Sequence, residues 1–214
     1  MGINLARLED SVVLAIDPQP NFLKSITDSE QLMLRGLFLL EVSALLEVPI
    51  LITEQNPLKM GGVDPKISEA IGEDYPLYGK MSFSCCGSEP FIEQLQKLNK
   101  KQIFLWGIET HICVCQSAIQ LMQKGFEVFV AADAVGARSA SAHHIGLSRI
   151  KQSGAILTHT ESIAYEWIKN AENPSFREIL DLVKKYTELE QSLPYSVVTQ
   201  DTGPLGMYWS THPL

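Results

Sequence analysis

QIFLWGIETHICVCQSAIQLMQKG, residues 102–125, is the stretch that decides the fold. After its leading Gln it opens on a continuous apolar run, which suits a strand buried on both faces. From His111 onward the apolar residues recur at helical spacing, and Gly125 supplies a C-cap. A strand that passes through a short turn into a helix is half of a βαβ unit.

The same alternation extends to either side. SVVLAID (11–17), PILIT (49–53), FEVFVAAD (126–133) and GAILTH (154–159) read as further strands. Helical periodicity falls between them: over 29–47, over SEPFIEQLQKLNK (88–100) with Ser88 as N-cap, and over ARSASAHHIGLSRIKQ (137–152). Alternating strands and helices predict a three-layer α/β architecture. Right-handed crossovers make it a doubly wound, Rossmann-like, mostly parallel sheet with helices on both faces. Residues 54–87 break the rhythm. They are rich in Gly, Pro and Ser, hold one short helical candidate (DPKISEAIG), and form a long irregular segment of the kind that is often functional. The domain is expected over 1–187, with an extended C-terminal tail over 188–214.

Composition narrows the function. The chain has 214 residues and a formal charge of −8, from 17 basic and 25 acidic residues without a Lys/Arg cluster. Nucleic acid is therefore a poor partner, because phosphate binding needs clustered positive charge. No apolar run reaches membrane-spanning length. The N-terminus carries acidic residues ahead of a strand-like run and does not read as a signal peptide, so a cytoplasmic location is expected. Four cysteines are too few for a disulfide scaffold, and C-C and C-x-C spacings differ from zinc-site grammar.

In open α/β sheets ligands bind beyond the carboxyl ends of the strands, where strand order reverses. Three turns qualify: 17–22, 54–57 and 108–113. None contains G-x-G-x-x-G or a P-loop, which removes the support for dinucleotide or nucleotide binding. Cys113 lies at the predicted start of a helix, where unpaired N–H groups favour a thiolate and could hold an oxyanion. A small buried core cysteine is the competing reading, and Cys115 fits it better. Asp17 is either a turn-forming residue or a general base. Lys80, alone, reads as a surface lysine. His143 and His144 are adjacent on one helix, so their side chains diverge and chelate poorly; both read as structural or surface residues.

WGIETHICV (106–114) with GFEVFVAADAVGAR (125–138), AIDPQPNF (15–22), ILITEQNP (50–57) and GKMSFS (79–84) resembles the isochorismatase-like cysteine hydrolases, in order, over roughly residues 10–185. The resemblance is to a branch of small hydrolases distinct from the nicotinamidases. It implies a catalytic set of Asp17, Lys80 and Cys113. It also implies a cis Ile108–Glu109 peptide that turns the Glu109 N–H toward the oxyanion beside that of Cys113. The metal-binding Asp-x-His of nicotinamidases is replaced here by Gln55-Asn56-Pro57, so no catalytic metal and no cofactor are expected. Phe22 and Gln55 are expected to contact a small-molecule substrate. A cysteine at the turn favours acyl chemistry on an amide or related C–N carbonyl compound, through a thioester. The alternative is a catalytically silent chain that keeps the fold as an interaction module. The apolar and aromatic tail, and the resemblance, both point to a homo-oligomer.

Overall fold

The computed structural model describes residues 5–193. In chain order the elements are β1 (Ser11–Ile16), α1 (Pro20–Leu23), α2 (Ser29–Leu45), β2 (Ile50–Gln55), α3 (Pro57–Met60), α4 (Lys66–Ile71), β3 (Leu77–Lys80), α5 (Glu89–Lys97), β4 (Gln102–Ile108), α6 (Cys115–Gln123), β5 (Glu127–Gly136), α7 (Ala140–Gln152), β6 (Ile156–Thr158), α8 (Thr160–Ile168) and α9 (Phe176–Gln191). The strands form one parallel sheet in the order β3-β2-β1-β4-β5-β6. Strand order therefore reverses between β1 and β4.

Alternate residues of the strands supply two separate cores. Val13, Ala15, Ile52, Phe104, Trp106 and Phe129 face a layer built from α2, α8 and α9. Val12, Leu14, Ile16, Leu51, Leu105 and Val130 face α5, α6 and α7. Each large apolar side chain buried this way contributes about 1.5–3 kcal/mol. Trp167 on α8 packs edge-on against Phe104, with ring centroids 5.2 Å apart, and donates its indole N–H to Ser11 Oγ at 2.9 Å.

The three-layer doubly wound sheet matches the sequence expectation, and each expected strand forms. Residues 54–87 hold more structure than expected. They contain β3, an edge strand buried at Lys80, half-buried at Tyr78 and exposed at Leu77 and Gly79, and the one-turn helix α3. β3 is four residues long and mostly exposed, so no apolar run announces it. Ser88 precedes α5 in extended conformation but makes no side-chain cap bond. Helix α9 runs through the expected boundary at 187/188 to Gln191. The rest of the tail, 194–214, lies outside the described residues. No described helix is long and apolar enough to cross a membrane.

Candidate active site

The parallel register brings the end of β1 between β2 and β4: Ile16 pairs with Thr53 on one side and Gly107 on the other. Asp17 follows at once, with φ of +53°, a left-handed conformation that Asp tolerates better than most side chains. Its N–H donates to Thr53 O at 3.1 Å, which holds the turn to β2. The carboxylate is buried, and both oxygens are occupied. Thr53 Oγ1 donates to Oδ1 at 2.8 Å, and Lys80 Nζ donates to Oδ2 at 2.6 Å.

Lys80 is the last residue of β3 and is also buried. Besides Asp17, its Nζ faces Gln55 Oε1 at 2.8 Å, Phe83 O at 3.0 Å and Ser82 O at 3.3 Å. Four oxygens thus surround a group that can only donate. Gln55, the last residue of β2, is fully engaged: Oε1 accepts from Lys80 and Nε2 donates to Met81 O at 3.0 Å. Its backbone N–H donates to Gln19 Oε1 at 2.7 Å, and Gln19 Nε2 donates to Gly61 O at 2.6 Å. Gln19 thereby ties the turn after β1 to the segment after α3.

Cys113 comes from the turn after β4. Gly107 has φ of +125°, and a Cβ there would lie 2.2 Å from Ile16 O, so only glycine lets β4 pass this close to β1. Residues Thr110–Val114 then form one turn of π-helix ahead of α6, with Val114 N–H bonded to Glu109 O at 3.2 Å. π-Helical turns are rare and concentrate at functional sites. The turn delivers the Cys113 thiol to the neighbourhood of the Asp17 carboxylate, whose charge bears on the thiol. The Glu109 backbone N–H is directed at the same sulfur.

Electrostatics at this cluster are set mainly by burial. Loss of water pushes the Asp17 carboxyl above its ordinary range, and this outweighs the opposing pull of Lys80, Thr53 and Cys113. The Cys113 thiol is pushed up to about 12, first by burial and then by the Asp17 charge; Lys80 and the Glu109 N–H oppose this. The expectation of a lowered Cys113 pKa is therefore corrected. Cys113 sits within a buried π-turn beside a carboxylate rather than at an open helix start. The expected cis Ile108–Glu109 bond is also corrected. There is no cis peptide among the described residues, so the Ile108–Glu109 bond is trans.

Asp17, Lys80 and Cys113, separated by up to 96 positions between Asp17 and Cys113 (113 − 17), thus meet at one point. The Glu109 carboxylate points elsewhere, pairing with Arg138 Nε at 2.6 Å. Phe22, on α1, is half-buried against the α2-side core. Cys115 is buried in the α6-side core, as its competing reading required. Cys85 and Cys86 are free thiols, and the neighbouring Cys85 and Ser84 draw Cys86 down to about 7. Thr53 and Gln19 were not singled out from sequence. The one available signal was a polar residue ending each apolar run or following it directly.

The chain and its fold have counterparts among known proteins. Residues 11–162 match the model of the isochorismatase domain. Isochorismatase domain-containing protein 2 of Xenopus laevis is 36% identical over 174 residues, 81% of this chain and 83% of that protein. The solved MAR1 ribonuclease of Caenorhabditis elegans superposes with a TM-score of 0.81 at 28% identity, covering 90% of this chain and 99% of that one. YcaC of Escherichia coli, described as an octameric hydrolase of unknown specificity, superposes with a TM-score of 0.80 at 23% identity, covering 90% and 97%. With the domain model spanning most of its length and a relative above one-third identical, this chain belongs to the isochorismatase family.

Proposed function

We propose that the chain is a metal-independent cysteine hydrolase acting on a small amide or related C–N carbonyl compound. The observation that supports this is a buried cysteine beside a buried carboxylate that is itself paired with a buried lysine. Asp17 takes the thiol proton as sulfur attacks the substrate carbonyl, and its raised pKa makes it a stronger base than an exposed carboxylate. The backbone N–H groups of Glu109 and Cys113 are assigned to the oxyanion; the Glu109 N–H already engages the sulfur and so lies within reach of a carbonyl bonded to it. Protonated Asp17 then gives its proton to the leaving nitrogen, and a thioester remains. Water, deprotonated by Asp17, cleaves the thioester and regenerates the thiol. Lys80 stabilises the negative charge shared by Asp17 and Cys113. Gln55 holds Lys80, and Phe22 is assigned to the substrate side of the turn after β1.

Gln55, Asn56 and Pro57 offer no carboxylate or imidazole where nicotinamidase-like chains place metal ligands, so no step is routed through a metal. The acidic net charge and dispersed lysines support a small-molecule substrate over RNA, and a cytoplasmic location is part of the same reading. A panel of small amides, imides and carbamates, with an RNA arm, tests it. Cys113→Ala should abolish turnover with the fold intact, Cys115→Ala should keep most of it, and EDTA should leave it unchanged. Turnover that survives Cys113→Ala, or that EDTA removes and zinc restores, overturns the proposal.

The trans Ile108–Glu109 bond and the high resting pKa of Cys113 favour one second reading, a catalytically silent interaction module. Residue-resolved labelling with iodoacetamide separates the two. A catalytic Cys113 alkylates at neutral pH with help from Asp17, whereas a silent one stays unlabelled until strongly alkaline pH.

A further inference from the structure

The π-turn that carries Cys113 is held from the outside by α7. Thr110, its first residue, is fully buried, and its hydroxyl lies 2.9 Å from His143 Nδ1. His143 is half-buried, while its neighbour His144 is exposed. The helix comes unusually close to the turn at this level. A Cβ on Gly146 would lie 2.9 Å from His111 Cα and 2.9 Å from His111 N, both backbone atoms that cannot swing aside. One residue of α7 therefore bonds the turn, and another, less than a helical turn away, lets the two backbones touch.

We infer that His143 is a positioning residue for the nucleophile, acting through Thr110 to keep the 110–114 turn in its π register with the Cys113 sulfur against Asp17. This rests on the reading of Cys113 as nucleophile. A π-turn is less favourable than an α-turn and persists where its surroundings enforce it. Relaxation to α spacing would rotate Cys113 relative to β4 and separate the thiol from its base. The Thr110–His143 bond opposes that rotation at the first residue of the turn, because breaking it strands a buried hydroxyl. Burial and the neighbouring His144 hold His143 down at about 4, so the ring is neutral at physiological pH and one of its nitrogens is free to accept from Thr110.

The test is the rate at which iodoacetamide alkylates Cys113 at neutral pH, resolved by peptide mass spectrometry, with Cys86 as internal reference. Thr110→Val and His143→Leu should each slow Cys113 about tenfold and leave Cys86 unchanged. The double variant should be no slower than either single one, since both remove one bond. His143→Asn, whose Oδ1 can replace Nδ1 as acceptor, should restore the rate to within about twofold, which a general loss of packing would not allow. If His143→Leu fails to fold, Thr110→Val, which preserves shape, decides the matter. Wild-type alkylation in Thr110→Val, or no recovery in His143→Asn, overturns the inference alone. A wild-type Cys113 that never labels at neutral pH overturns the nucleophile reading, and this inference with it.

Discussion

At Cys113 the resting proton stays on sulfur because water is excluded and Asp17 already carries the negative charge. This gives Asp17 two opposite effects, one on the thiol's resting pKa and one on turnover. Asp17→Asn removes the charge that raises the thiol, while Lys80, which lowers it, remains. The Cys113 pKa should therefore move down from about 12, although turnover should be lost with the base. The ultraviolet thiolate signal of Asp17→Asn, compared with that of Asp17→Asn plus Cys113→Ala, reads this shift. A thiolate that forms only at higher pH than in wild type would show that Asp17 is not the charge facing the sulfur. Cys86, drawn down to about 7, should alkylate before Cys113 in every variant, which is why labelling has to be resolved by residue.

The β4 strand and the turn after it set the alignment of the cluster. Gly107 combines a φ of +125° with an approach to β1 in which a Cβ would meet Ile16 O at 2.2 Å and Ile16 N at 2.8 Å. Neither contact can be relieved by a side-chain rotation. Gly107→Ala should destabilise the fold by about 3 kcal/mol or more, measured from denaturant midpoints, and should disturb Cys113 alkylation at sub-denaturing concentrations. A loss of less than about 1 kcal/mol would mean that β4 can shift away from β1 without penalty. β2 and β3 contribute in another way. Each ends on a residue that faces the same ammonium, as Gln55 or Lys80 itself, so their parallel register (Gln55 beside Lys80) places the cation.

On the whole molecule, several large apolar side chains stay in solvent at the carboxyl edge of the sheet. Leu58 on α3 is 100% exposed, and Met81 and Phe83, which follow Lys80, are 72% and 55% exposed. Exposed apolar clusters beside a site commonly mark an interface. The homo-oligomer expected from the sequence would cover this edge, with the C-terminal tail as the second expected contributor. Sedimentation velocity should show wild type as an oligomer, with Leu58→Glu plus Met81→Glu shifted to a smaller species. Truncation after Gln191 should shift it as well. A monomeric wild type would end the oligomer proposal, and an unchanged assembly in the truncated chain would remove the tail from it.

The layers and five of the six strands were legible in the sequence, whereas Asp17, Lys80 and Cys113 were named as a set only through the family resemblance, Lys80 by itself reading as a surface lysine. Buried parallel strands must be continuously apolar, and the residues that follow them stand out as polar breaks, as in AIDPQ and WGIETH. β3 was not legible, because LYGK is short and mostly exposed and so carries no continuous apolar run. Nor were Thr53, Gln19 and His143, since each matters through a partner at least 33 positions away in the chain. Sequence therefore determined which elements form and which side chains were candidates for the chemistry. Only the tertiary structure decided the resting charge of the cluster and the trans geometry of its turn. Burial depth and the approach of neighbouring backbones set both, and neither is a property of a local stretch of chain.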